Sequence, residues 1–446
     1  ASWNRLDFHW SWIRKEVEGN LGWYWSGTDH DGPYSYDEAV RTTSLTLIGI
    51  LDGGIPTAPA ILGDNPYQAN GSWEAFVTQV VSRYGDKINV WEVGNEKGLY
   101  APLSTEQYLD ALDTVCRVIG QLQGHANVIV ILGSPDDQVG LSLANNAYKY
   151  PGLSADYKAR YKDVLEGIKD SPSRQECIDV IGLHPYYLPA WSWWTVTGVD
   201  KYLKDTLDWK SPPQYWITES GIQHNDNVDC DPTVKGPCVS DFVQASYVIQ
   251  QYVMATQAFS ETHPDSSAGV VIHHRIRDNG PAETFGLLRA DNNFRLPSYY
   301  AAWLVTQGLG EATYGFDGTS DLSGSGYKHL VFTSRDGYPI HILWATKPQD
   351  KEVALPLLHF SNAKIYYQSQ AQSYYEGTTP QLVEANYQLI LPGTTSPGHR
   401  GDPTGNPYES SDGNTNWDSN YYVGGETIIV VETSDTGQGP TGSASL

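Results

Sequence analysis

Seven short apolar runs punctuate the chain up to residue 274, and longer amphipathic stretches separate them. The runs are Asn4–His9, Leu45–Leu51, Ile88–Val93, Asn127–Leu132, Ile178–Leu183, Gln214–Thr218 and Gly269–His274. Each has strand length and strand composition, whereas Trp73–Tyr84 places Trp73, Phe76, Val77, Val80, Val81 and Tyr84 at helical spacing. Thr105–Leu122 reads the same way. Strands alternating with helices predict parallel pairing through helical crossovers, and over this length they predict a (β/α)8 TIM barrel. Seven strands are recognised rather than eight. The chain opens directly into what reads as the second, so the first either lies in a segment before position 1 or goes unrecognised.

After the helix-like Pro297–Gln307 the pattern changes. Short alternating strands follow at Leu330–Ser334, Ile340–Trp344, Glu352–Leu357, Lys364–Gln368, Tyr387–Leu391 and Glu426–Glu432, with turn signals such as Arg335-Asp336-Gly337. That texture predicts a small β-sandwich. The polar stretch Gly393–Asn420 reads as a surface loop, and Ser434–Leu446 as a Gly/Ser-rich tail. The expected organisation is a barrel over residues 1–308, a sandwich over 309–433 and a tail over 434–446, without internal repeats.

Charge narrows the partners. A formal charge of −24 and a pI near 4.7 leave nothing to neutralise phosphates, so nucleic acid is excluded as a partner. The same field disfavours polyanionic substrates unless a local basic pocket overrides it. No apolar run reaches the roughly 18–20 residues that span a bilayer, so no membrane partner is expected. Position 1 is alanine and Met254 is the only methionine, which reads as a processed or fragment end whose signal peptide is not in this numbering. Four cysteines form an even set without zinc spacing. Cys230 and Cys238 bracket a turn-rich segment suited to a small disulfide loop, and Cys116 with Cys177 would pair across the fold. These features together point to an exported protein.

Two glutamates carry the chemistry. Glu96 ends Trp91-Glu92-Val93-Gly94-Asn95-Glu96, and Glu219 ends Tyr215-Trp216-Ile217-Thr218-Glu219. Each follows an apolar run and precedes a turn signal, which puts both at C-terminal strand ends, where barrels keep their chemistry. Two carboxylates about 5–5.5 Å apart serve double-displacement glycoside hydrolysis, one as nucleophile and one as acid, then base. Asn95 can bind the sugar hydroxyl next to the anomeric carbon. His184 and Tyr186 in His184-Pro185-Tyr186 can enter the same mouth, and a tyrosine hydroxyl donated to Glu219 would keep it ionised. The 15 tryptophans and 30 tyrosines supply faces for sugar rings as well as core. Leu188-Pro189-Ala190-Trp191-Ser192-Trp193-Trp194 is too rich in turn residues to read as core alone. His9, Trp10, Asp52 and Trp194 are further candidate substrate contacts.

These motifs resemble those of clan A glycoside hydrolases. The Asn95-Glu96 segment is similar to the strand-four signature that carries the acid/base, and Trp216–Gly221 to the strand-seven signature that carries the nucleophile. Arg5 matches the strand-two arginine that supports the nucleophile, and His184 and Tyr186 match the strand-six His-x-Tyr. A barrel followed by a sandwich resembles family 39 β-xylosidases and related members of families 5 and 30. The resemblance implies a retaining β-glycosidase acting on oligo- or polysaccharide, with Glu96 as acid/base and Glu219 as nucleophile. Lys97 stands where the clan usually has proline, and Gly94 where an aromatic residue is frequent. Ile272-His273-His274-Arg275 lacks the tryptophan that many members use as a sugar platform. His273, His274 and Arg275 read either as contacts for an unusual or carboxylated sugar or as a barrel-end polar network, and the identity of the sugar stays open.

The chemistry requires no cofactor or catalytic metal. Asp412, Asn414, Asn416 and Asp418 alternate oxygen ligands in a manner that suits a structural calcium, although Trp417 and Val423 break the helix-loop-helix pattern. Asn70-Gly71-Ser72 is a glycosylation sequon. A non-catalytic carbohydrate-binding or structural protein on a glycosidase-like barrel is the alternative expectation.

Overall fold

The computed structural model describes residues 3–17, 20–29, 32–52, 66–67, 71–96, 103–134, 155–186, 188–224, 238–264, 269–278, 284–290, 292–310, 312–347, 349–393 and 423–433. All seven expected strands form, as β1 (Trp3–His9), β2 (Thr46–Asp52), β3 (Val90–Val93), β4 (Ile129–Leu132), β5 (Val180–Leu183), β6 (Gln214–Ser220) and β7 (Val271–His273). They make one seven-stranded sheet in sequential order from β1 to β7. The pairings from β1 to β6 are parallel, and His274 donates its backbone N–H to Ser220 O at 2.6 Å beside β6. The helices include α1 (Ser72–Tyr84), α2 (Thr105–Leu122), α3 (Ala155–Lys169), α4 (Pro189–Lys201), α5 (Asp241–Thr262) and α6 (Pro297–Leu309). This is the (β/α)8 TIM-barrel fold class with a small β-sandwich at its C-terminal end.

The chain divides into two compact units, one of Ala1–His184 with Thr195–Thr218 and one of Pro185–Trp194 with Glu219–Leu446. In the first, β3, β4 and β5 are almost wholly buried, as befits strands covered on both faces. The predicted face of α1 is buried residue for residue: Trp73, Phe76, Val77, Val80, Val81 and Tyr84. Ser104 and Gln107 form a capping box that starts α2. Cys116 on α2 is bonded to Cys177, with 5.8 Å between their Cα atoms. Gly49 on β2 has no alternative, because a Cβ there would lie 2.5 Å from the Trp91 ring. Two β-hairpins, Arg14–Val17 with Asn20–Trp23 and Ser26–Asp29 with Gly32–Ser35, follow β1 and were not legible as strands.

In the second unit the sandwich strands are β8 (Thr313–Tyr314), β9 (Tyr327–Thr333), β10 (Pro339–Ala345), β11 (Lys351–Ala354), β12 (Asn362–Tyr367), β13 (Gln381–Glu384), β14 (Gln388–Leu391) and β15 (Ile428–Thr433). Six form a sheet ordered β8-β9-β10-β15-β12-β13, and β11 pairs with β14. Their alternation sorts side chains between two cores. Leu330, Phe332, Ile340, Ile342, Trp344 and Ile429 face Ile249, Val253, Leu304 and Val305 from α5 and α6. Leu343, Ala345, Ile428 and Val430 face Val353, Leu389 and Leu391 of the two-stranded sheet. That shared core joins α5 and α6 to the sandwich strands.

Leu188–Trp194 is not a turn-rich platform. Pro189 occupies the first turn of α4, where its missing N–H costs nothing, and Trp191 is buried. The Cys230–Cys238 loop, Asn70 of the sequon, the calcium-like segment Asp412–Asp418 and the tail lie outside the described residues or their described side chains.

Candidate active site

Within the first unit, β3 ends at Val93 and the chain turns through Gly94 and Asn95 to Glu96. Gly94 has φ +80°, a conformation that disfavours an aromatic side chain, which accounts for that departure from the expected motif. Glu96 has φ +46° and its backbone N–H donates to Ser134 O at 2.7 Å. Positive φ at a non-glycine residue is costly and tends to mark functional positions.

Arg5 on β1 ties this turn to its strand. Its Nε donates to Glu92 Oε2 at 2.8 Å, and its Nη2 donates to Asn95 Oδ1 at 2.8 Å. The Asn95 oxygen is thereby occupied, so the amide turns its N–H₂ away from Arg5. Glu92 is fully buried and also accepts from Thr218 Oγ1 at 3.1 Å. His184, just past β5, has Nε2 3.1 Å from Thr218 Oγ1 and Nδ1 3.1 Å from Glu96 Oε1. An unbroken polar chain therefore runs Arg5–Glu92–Thr218–His184–Glu96. Glu92 and Thr218 were missed by sequence reasoning. Their one legible signal was a charged and a hydroxyl residue set inside otherwise apolar strand runs.

Within the second unit, Glu219 sits on β6 and is 9% exposed. The Tyr186 hydroxyl donates to Glu219 Oε1, and His274 Nδ1 lies 3.0 Å from the same oxygen. Tyr186, His274 and Phe285 meet edge-on, with ring centroids 5.3 to 5.8 Å apart. Ser220, the next residue, is anchored by Gln251 of α5 and donates to Ile272 O at 3.3 Å. His273 is buried and donates Nε2–H to Phe285 O at 2.9 Å. Burial pushes it down to about 4, so it is neutral at ordinary pH and is part of the packing around the site. His274 thus belongs with Glu219, whereas His273 does not offer a charge to a sugar.

The lesser candidates separate. His9 and Asp52 end β1 and β2 and are direct register partners. His9 stacks on Trp12 at 4.3 Å and contacts Ser11 Oγ at 2.9 Å. Trp10 corrects its expected role as a sugar contact. It is fully buried, packed edge-on against Trp73 at 5.3 Å and Tyr67 at 5.9 Å, so its faces belong to the core. Trp194 is half-buried on α4, edge-on to Trp193 at 6.5 Å.

In the first unit a strand-end glutamate is thus held by a histidine, and in the second another is held by a tyrosine and a histidine. Solved structures similar to this chain share its barrel fold. One is a family 39 glycoside hydrolase from the gut symbiont Bacteroides cellulosilyticus WH2, with TM-score 0.58 and 18% identity over 97% of this chain and 75% of that one. Another is a conserved exported protein from Bacteroides fragilis, with TM-score 0.52 and 9% identity over 96% and 88%. A family 30 endoxylanase from Clostridium papyrosolvens C71 follows at TM-score 0.48 and 11% identity over 87% and 79%. The sequence matches no protein-family model and no curated protein.

Proposed function

We propose that this protein is a retaining β-glycosidase acting on oligo- or polysaccharides of plant or microbial origin, with Glu219 as nucleophile and Glu96 as acid/base. The observation that carries the reading is the hydroxyl that Tyr186 donates to Glu219, because a donated hydrogen bond favours the ionised carboxylate that a nucleophile needs. In the first step the Glu219 oxygen bonds to the anomeric carbon while the glycosidic C–O bond breaks and Glu96 gives its proton to the leaving oxygen. In the second, Glu96 takes a proton from water, whose oxygen displaces Glu219 and frees the sugar. Asn95, its amide hydrogens turned away from Arg5, would donate to the hydroxyl beside the anomeric carbon. No cofactor or metal enters this scheme. Export fits it, since the Cys116–Cys177 bond suits an oxidising compartment.

Intact-mass spectrometry after incubation with 2-deoxy-2-fluoro β-glycosides bearing good leaving groups tests the proposal. The expected result is a one-sugar adduct on Glu219 that is lost in Glu219→Gln. An adduct on another residue, or neither an adduct nor leaving-group release from monosaccharide and oligosaccharide probes alike, would favour a carbohydrate-binding protein instead.

A further inference from the structure

We propose that Glu92 and Thr218 are positioning residues that fix the tautomer of His184 and so keep one proton on Glu96. The inference rests on the reading of Glu96 as the acid, and it follows from counting hydrogens along the buried chain. Glu92 accepts from Arg5 Nε at 2.8 Å, which commits Oε2. Its other oxygen, Oε1, accepts from Thr218 Oγ1 at 3.1 Å. A threonine hydroxyl has a single hydrogen. Once that hydrogen points to Glu92, Thr218 meets His184 as an acceptor, so the 3.1 Å contact at Nε2 needs a hydrogen on Nε2.

A neutral imidazole has one N–H and one lone pair. With the hydrogen on Nε2, the lone pair is on Nδ1 and faces Glu96 Oε1 at 3.1 Å. With the ring neutral, that contact closes only when the carboxyl carries the proton. The direction of every bond is therefore set from one end of the chain, where the Arg5 guanidinium can only donate. Glu96 is the carboxyl kept protonated, as an acid requires, while Glu219 accepts from Tyr186.

The same arrangement serves the second step. After Glu96 has protonated the leaving oxygen, its carboxylate faces the Nδ1 lone pair, an unfavourable juxtaposition. Taking the proton of the incoming water relieves it and restores the starting state. His184 needs no net proton change in either step.

Two nearly isosteric substitutions test the chain from different links. In Glu92→Gln, Arg5 keeps the amide oxygen on its own side, which turns the amide N–H₂ toward Thr218. Thr218 then accepts from Gln and donates to His184 Nε2, which forces the hydrogen to Nδ1. Every donor reverses, and Glu96 accepts as a carboxylate. In Thr218→Val the link is cut, whereas Thr218→Ser preserves it. The measurement is long-range 1H–15N correlation of 15N-histidine-labelled protein, with the His184 signals assigned by a His184→Gln control. It reports which ring nitrogen bears hydrogen and does not depend on turnover.

Wild type and Thr218→Ser are expected to show Nε2–H with an unprotonated Nδ1, and Glu92→Gln the opposite. A hydrogen on Nδ1 in the wild type, or an unchanged tautomer in Glu92→Gln, overturns the proposal. Kinetics supply the second readout. Glu92→Gln and Thr218→Val should slow glycosides with poor leaving groups by about 100-fold, the lower end of what acid–base catalysis contributes. Activated aryl glycosides, which need little protonation, should keep their glycosylation rate, and Thr218→Ser should restore the rest. Equal losses on both substrate types would mean a merely structural role and also overturn it. An absence of wild-type glycosidase activity would defeat the functional reading alone, since the tautomer is read independently.

Discussion

The Tyr186 hydroxyl donates to the very oxygen of Glu219 that faces His274. A phenol gives one hydrogen and takes little space, so Tyr186→Phe removes that donation while leaving the contacts with His274 and Phe285 in place. Hydrogen bonds to charged groups contribute about 1.5–3 kcal/mol. Tyr186→Phe should therefore lower kcat for an activated aryl β-glycoside by roughly 10- to 100-fold with an unchanged circular dichroism spectrum. Wild-type kinetics in the variant would remove Tyr186 from the catalytic scheme.

Arg5 is the cation opposite a glutamate with no exposed surface. Arg5→Met keeps much of the side-chain length but strands the Glu92 charge in the interior. Removing one partner of a buried pair typically costs about 3–5 kcal/mol, so a large fall in urea midpoint is expected. Arg5→Met/Glu92→Met should regain much of that stability, because the stranded charge is then gone as well. If the double substitution is no more stable than the single one, the stranded-charge account is wrong.

Cys116 and Cys177 join α2 to the short helix Pro172–Cys177 across 61 residues of chain. Closing a loop of that length restricts the unfolded chain by about 4 kcal/mol in the chain-entropy estimate. Cys116→Ala/Cys177→Ala should lower the unfolding free energy by about 2–4 kcal/mol, and a reductant should destabilise the wild type but not this variant. Equal sensitivity to reductant in both would assign the effect elsewhere.

The barrel was legible because its strands are apolar on both faces and its helices on one, so period and length separate them. The seven runs and the face of α1 needed nothing beyond the sequence. The hairpins after β1 were not legible, since a sequence such as Ser26-Gly27-Thr28-Asp29 has no apolar alternation to announce a strand. Helix α4 was hidden by Pro189 and Ser192, which propensity reads as turn residues, yet its Trp191 packs inward. Glu96, Glu219, His184 and Tyr186 stood out as polar residues at strand ends. Glu92 and Thr218 sit inside strands, where their value depends on partners about 90 to 130 positions away (Arg5 to Glu92, Glu92 to Thr218), a relation no local pattern encodes. Trp10 misled for the opposite reason: an aromatic residue at a strand end looks the same in sequence whether it faces a sugar or the core.

His224 offers a pH dependence whose sign is set by its neighbours. Its Nδ1 lies 3.0 Å from Asp241 Oδ1 and its Nε2 3.1 Å from Asp278 Oδ2, with Arg289 3.7 Å from Asp241. Burial alone would push the ring down, but the two carboxylates outweigh it and hold it at about 9. The folded value lies above the unfolded one near 6.5, so the folded state binds the proton more tightly. That contribution is fully present below about pH 6.5, declines as pH rises, and is gone above about 9. At roughly 1.4 kcal/mol per pH unit it amounts to about 3 kcal/mol. His224→Gln should therefore be less stable than the wild type at pH 6, with the gap in urea unfolding free energy closing by about this amount toward pH 10. A gap that stays constant across this range would show that folding leaves the ring's affinity for its proton unchanged.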